Sequence, residues 1–269
     1  MDLWVIIGLA VGFGGILTGY VIDEGVLSAL IRPSPLLIVY GGTIGAVVAS
    51  FPFSELKKLI PAFKLIFTTK NYNEVDIINQ LAEMSEKARK DGLLSLEQDA
   101  QNNENELIKK GLALVVDGIE TEVIKDILIR ETQLHESIYE DSAKIFEAAG
   151  GYSPTMGVLG TVMGMVSILG SMEEDPGGLG SKIATAFLAT MLGVGTANIV
   201  YLPFANRIKV KAAREKMIND LIIEGLLSIQ AGENPRIIKE KLNLALLEKM
   251  SGKGKGKTAE GNLEAEESL

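Results

Sequence analysis

LWVIIGLAVGFGGILTGYVI, residues 3–22, is apolar or small throughout and carries no charged side chain. A hydrocarbon core takes about 20 such residues in helical form. A secretory leader would bring a basic segment before a shorter apolar stretch. Only Met1 and Asp2 precede this one, so it reads as a retained transmembrane helix. Three further blocks have the same character, at about Pro35 to Phe53, Tyr152 to Met172 and Ile183 to Asn206, and none contains Asp, Glu, Lys, Arg or His. A buried helix of a globular protein of this length would show a polar stripe. Four blocks without one predict four membrane crossings.

Lys and Arg near the ends of the blocks set the predicted orientation. Lys57, Lys58, Lys64 and Lys70 follow the second, and Arg207, Lys209, Lys211, Arg214 and Lys216 follow the fourth. The two short connections carry little: Arg32 in one, and Lys182 beside Glu173, Glu174 and Asp175 in the other. Both termini and the large middle loop are therefore expected in the cytoplasm, with 23–34 and 173–182 outside.

The chain then divides into residues 1–53 with the first two spans, a cytoplasmic domain at 54–151, spans three and four at 152–206, a helical extension at 207–250 and a tail at 251–269. Within the domain, Asn73 is suited to cap a helix from Glu74 to Lys90, and Asp91-Gly92 to stop it. Amphipathic runs follow at Glu104 to Asp117, Glu120 to Arg130 and Thr132 to Ala149, able to bury a shared core. No strand pattern of comparable length appears, so the predicted fold is an all-α integral membrane protein with a helical cytoplasmic domain between the second and third spans. The fourth span is expected to continue as a helix beyond the membrane, with another helix after Pro235. The tail, with its Gly-Lys alternation and acidic end, offers almost nothing to bury and is expected to be disordered.

Among 269 residues the net charge is −9, which argues against a nucleic-acid surface. With no cysteine there is no disulfide, thiol nucleophile or zinc-thiolate site, and His135 has no second histidine with which to chelate. The remaining carboxylates are dispersed on solvated helices, so neither a catalytic constellation nor a metal site is expected.

Small residues mark helix interfaces in lipid because they let backbones approach. Ser153, Gly157, Gly160, Gly164, Ser167 and Ser171 recur at steps of four and three on the third span, and Ala186, Thr190, Gly193 and Ala197 do so on the fourth. Gly8 and Gly12, Gly15 and Gly19, and Gly41 and Gly45 repeat the spacing on the first two. Two readings fit: close packing within one subunit, or a face turned to a shared axis where identical subunits meet a central helix. Pro154 and Pro203 stand near the cytoplasmic ends of spans three and four, where a missing hydrogen bond permits a kink. Ser153-Pro154 equally suits a cap at the start of the third helix. The spans hold hydroxyls, Thr155, Thr161, Thr185, Thr190 and Thr196, together with Asn198, but no acid. Proton and sodium carriers inside membranes are ordinarily carboxylates, so an ion-conducting role requires an acid brought by another polypeptide.

Residues 153–164, SPTMGVLGTVMG, with 184–190, ATAFLAT, resemble the MotA/PomA family, the A subunits of the bacterial flagellar stator. Tyr201-Leu-Pro203-Phe-Ala and 87–97, KARKDGLLSLE, are similar to it as well, and the likeness extends over nearly the whole chain to about residue 250. The resemblance implies a homo-oligomeric ring, a pentamer, around a pair of single-span B subunits whose aspartate carries the ion, in the bacterial inner membrane. Ion loading would turn the ring, and the cytoplasmic domains would push on the rotor's switch protein. By motif match the rotor contacts are Arg89 and Glu97 and the functional prolines Pro154 and Pro203. The hydroxyls facing the carrier are Thr161 and Thr190, with Thr155 beside them. No cofactor is implied; the transported ion is expected to be a proton, with sodium as the alternative. The related ExbB/TolQ energisers look like three-span chains with the N-terminus outside, which four spans disfavour. A non-conducting membrane scaffold is the remaining alternative.

Overall fold

The computed structural model describes residues 2–68, 73–172 and 176–250. All regular structure among them is helical: α1 Leu3–Ile22, α2 Pro33–Ser50, α3 Leu59–Phe67, α4 Glu74–Asp91, α5 Glu97–Asn102, α6 Glu106–Val116, α7 Thr121–Gly170, α8 Leu179–Gln230 and α9 Pro235–Met250, with short helical turns between. Of the described helices α1, α2, α7 and α8 are long and apolar enough to cross a membrane. Helix is what hydrocarbon imposes, because each backbone N–H and C=O must find its partner within the segment. Contacts divide the chain into two compact units, Met1–Thr69 with Ser137–Ala212, and Lys70–Glu136 with Ala213–Leu269.

The first unit holds the four spans. Trp4, Val11 and Ile22 on α1 are exposed, at 76%, 69% and 74%, and only Val5 is buried there. Such outward apolar surface costs nothing in lipid. At one end of the unit α3 lies against α7 and α8. Ala62 and Ile66, one turn apart, are fully buried with Ala143, Phe146, Phe204 and Ile208. Phe146 meets Phe63 and Phe204 edge-to-face at centroid separations of 5.3 and 5.9 Å, and Phe67 meets Phe204 at 5.8 Å, the geometry that the ring quadrupole prefers. Residues 54–68 and 137–151 thus belong to the compact unit of the spans, although they lie in the topological segment 54–151.

Polar side chains fasten this end. The carboxylate of Asp2, only 7% exposed, takes Arg207 and Lys211. Lys211 also donates to the carbonyls of Leu65, Ile66 and Thr68 at 2.8, 3.1 and 2.8 Å. Burial pushes the Asp2 carboxyl upward, and the hydrogen bonds from Lys211 and Arg207 outweigh it, leaving its pKa below the ordinary value. Nearby Lys58 bridges Glu55 and Asp141, each at 2.7 Å. Hydrogen bonds from Lys58 and Lys144 hold the Asp141 carboxyl low.

The second unit is a helical domain with its own core. Ile78, Leu81, Ile108, Leu112, Leu128 and Leu226 are essentially inaccessible, drawn from α4, α6 and the outer parts of α7 and α8. α4 begins where Asn73 accepts from the amide of Val75 and ends at Gly92, whose φ of 83° favours glycine. Asn105 caps α6 through the amides of Leu107 and Ile108. Glu74 pairs with Arg214 and Glu136 with Lys216, both within the unit.

Two local expectations change. The runs at Glu120 to Arg130 and Thr132 to Ala149 are one uninterrupted helix, which continues through Pro154 as the third span. Ser153 is therefore an interior residue of α7 and does not cap a new helix. Two helices contain a wide π turn, Leu37–Gly41 in α2 and Ala197–Tyr201 in α8. The second closes two residues before Pro203, which has no N–H to offer the carbonyl four residues earlier. The expected disordered tail lies outside the described residues.

Candidate functional site: a threonine pair between the third and fourth spans

α7 and α8 approach more closely within the membrane than side chains would allow. A Cβ added to Gly157 would stand 2.8 Å from the carbonyl oxygen of Ala189 and 3.1 Å from Cα of Thr190. One added to Gly193 would stand 2.5 Å from the carbonyl oxygen of Ser153, and one on Gly164 would stand 2.5 Å from Cβ of Ala186. The small-residue face of the third span is therefore used for packing inside one subunit. Ser153, fully buried, donates its hydroxyl to the carbonyl of Gly193 at 3.0 Å and pins the two helices.

This proximity brings Thr161 and Thr190 together. Their hydroxyls are hydrogen-bonded to each other at 2.5 Å. The Thr161 hydroxyl also lies 3.2 Å from the carbonyl of Gly157 on its own helix and 3.0 Å from that of Ala186 across the interface. Thr190 reaches the same Gly157 carbonyl at 3.4 Å. Two side-chain hydroxyls and two carbonyls thus converge at a half-buried point with no acid in reach, since the spans carry none. Such a cluster can donate to, or accept from, a group presented from outside the subunit. It has no proton of its own to release near neutral pH.

The other expected residues separate from this point. Thr155 is exposed, with its hydroxyl bonded to the carbonyl of Tyr152 at 2.7 Å, so it does not join the pair. Pro154 lies inside α7 next to the Ser153 pin, and Pro203 is exposed on α8 just past its π turn. Arg89 occupies the last turn of α4 and Glu97 the first of α5; both are exposed and neither pairs with a described residue. Lys87 binds Asp99 at 2.7 Å, tying α4 to α5. A second hydroxyl pair, Tyr40 with Thr196 at 3.0 Å, links α2 to α8 beside both π turns, and Ser50 meets the Tyr152 hydroxyl at 2.9 Å. Nothing in the spacing of Tyr40 and Thr196 announces that pair.

Fold and site define a class: a four-span, all-helical membrane subunit with a helical domain between spans two and three and an acid-free hydroxyl site between spans three and four. Known proteins make the class specific. Residues 99–220 match the model of the MotA/TolQ/ExbB proton channel family, and residues 6–92 match that of the Motility protein A N-terminal region. Motility protein A of Bacillus subtilis is 37% identical over 91% of this chain and 91% of its own length. Chemotaxis protein PomA of Vibrio alginolyticus is 32% identical over 90% of this chain and 94% of its own. Among solved structures, the flagellar MotAB stator complex of Bacillus subtilis has a chain that superposes with a TM-score of 0.83 at 36% identity, covering 89% of this chain and 94% of that one. The C. jejuni MotAB structure gives 0.85 at 29%, covering 91% and 96%. The chain belongs to the MotA/PomA family.

Proposed function

We propose that this protein is the A subunit of a flagellar stator, converting ion flow across the bacterial inner membrane into torque. A ring of five copies encloses two single-span B subunits, and each B helix presents an aspartate to the Thr161–Thr190 hydroxyls. One observation carries this reading: paired hydroxyls inside spans that hold no carboxylate, a site chemically incomplete until a neighbour supplies the acid. The relatives named Motility protein A and PomA support a stator over an ExbB-like energiser. The transported ion is the proton, in keeping with the family description. Both termini and the helical domain face the cytoplasm, following the excess of Lys and Arg after spans two and four.

Torque leaves through the domain. Arg89 and Glu97 meet oppositely charged groups of the rotor's switch protein. An exposed ion pair contributes only about 0–1 kcal/mol, which suits a contact made and released at every step. Pro154 and Pro203, each flanking a side-chain or wide-turn departure from regular helix, let the two inner spans flex as the acid loads and unloads.

Coexpression with its B subunit in a stator-deleted cell tests the proposal. Swimming should return, and rotation at fixed voltage and pH should not depend on external sodium. Absence of rotation with both proteins in the membrane overturns the stator reading; a sodium-dependent speed overturns the proton alone.

A further inference from the structure

Between α1 and α8 runs a groove of about 550 Å3 in the membrane surface of the first unit, a volume within the usual range of ligand sites, about 300–1,000 Å3. Its composition changes along its length. The deeper part is walled by Gly8, Leu9, Gly12 and Ile199. A Cβ on Gly8 would meet nothing within 4 Å, so the groove is open there. Asn198 also lines this part, but its amide is used on the carbonyl of Val194 in its own helix. The other end, where α8 leaves the membrane, carries Trp4, Asn206 and Arg207.

That end has a cation to spare. Arg207 and Lys211 bring two positive charges against the single carboxylate of Asp2, and neighbouring Lys209 is matched by Glu147 at 2.6 Å. Lys211 is saturated by three carbonyls. Arg207 has the Asp2 carboxylate as its ion-pair partner and also lines the groove. Trp4, 76% exposed, stands at the mouth with an indole N–H that favours the headgroup level of a bilayer.

We infer that this groove holds one anionic phospholipid of the leaflet adjoining Arg207. The phosphate lies against Arg207 and Asn206 beneath Trp4, and one acyl chain runs down past Gly8 as far as the contact of Gly12 with Ile199. The occupant follows from the gradient itself: cationic and polar donors at the interface, bare backbone and alkyl groups below, in the order in which a lipid presents its own parts. Basic pockets between spans at a membrane interface recognise acidic headgroups by this chemistry. The inference rests on the assignment of the spans alone, so it stands or falls apart from the torque reading.

Native mass spectrometry of the purified full-length protein, exposed to equal amounts of phosphatidylglycerol and phosphatidylcholine, tests it. Phosphatidylglycerol should be retained about fivefold better, the effect of one basic group at an anionic surface. Gly8→Phe, which fills the groove without touching the subunit's interior, should abolish retention. Asn206→Asp, on an exposed position, should erase the preference by cancelling the surplus charge. Equal retention of the two lipids, or unchanged retention in Gly8→Phe, overturns the inference. So does photo-crosslinking of a benzophenone carried on Gly8→Cys to another polypeptide, which would mean that a protein helix fills the groove.

Discussion

Gly157→Ala places a single methyl where the backbones of the third and fourth spans meet. Its Cβ would sit 2.8 Å from the Ala189 carbonyl oxygen and 3.1 Å from Cα of Thr190. Both neighbours are backbone, so no side-chain rotation relieves the clash and the helices must move apart. Overpacking of this kind costs about 1–3 kcal/mol. Alanine also gains about 0.5–1 kcal/mol over glycine within a helix, which would blur the result. Gly151→Ala supplies the control, because Gly151 lies on the same helix and a Cβ there meets nothing within 4 Å. Helix propensity cancels between the two variants and leaves the clash alone. SDS titration of the purified complex should separate them by about 1–3 kcal/mol, or roughly 5- to 150-fold in the folded population. Swimming should fall in Gly157→Ala alone, since the displaced backbone carries Thr190 away from Thr161. If the two variants unfold within about 0.5 kcal/mol of each other, the additivity error of such comparisons, the close approach is not what holds these spans together.

Thr161→Val keeps the shape and removes the hydroxyl; it should cost about 0.6 kcal/mol of stability, the average for a hydrogen bond within a membrane, yet sharply reduce ion flux measured with a pH-sensitive dye. Arg89→Glu or Glu97→Lys should lower torque in a tethered-cell assay while co-purification of the B subunit is unchanged, and lost assembly would refute a rotor-contact role. Asp141 has a carboxyl held below its usual value of 3.8 by Lys58 and Lys144, so its contribution is complete above about pH 4 and disappears as pH falls through the lowered folded value. Asp141→Asn should therefore destabilise the protein at pH 7, with the gap to the parent closing at low pH in a thermal melt.

How much of this was legible beforehand depends on which force wrote each feature. The spans were visible because lipid excludes charge, and a residue-by-residue absence of Asp, Glu, Lys and Arg survives any tertiary detail. Asn73 and Gly92 were legible for a local reason: one accepts from a free amide in the first turn of α4, and the other adopts a φ unsuited to other residues. The supposed break near Thr132 failed because Arg130, Glu131 and Thr132 are all compatible with helix; Thr132 merely turns its hydroxyl to the carbonyl of Ile129. Ser153-Pro154 looked like a start, since proline favours a first turn, yet the Ser153 bond to Gly193 and the packing of α7 on α8 carry the helix straight through it. The Thr161–Thr190 cluster was expected from resemblance; its carbonyl partners were not, because they depend on how closely two glycine faces meet. Thr155 stood only six residues from Thr161, but on a helix that separation turns it to another side.

The wide turn at Ala197–Tyr201 has a consequence for variation in length. Each such turn accommodates one residue more than a regular helix over the same rise, and one residue corresponds to about 100° of rotation. Phe204 and Ile208, just downstream, share a buried cluster with Phe146 and Ile66. Deleting any one residue from the turn would heal the helix locally and swing both side chains out of their cluster, so the irregular segment behaves as an insertion that the fold has come to require.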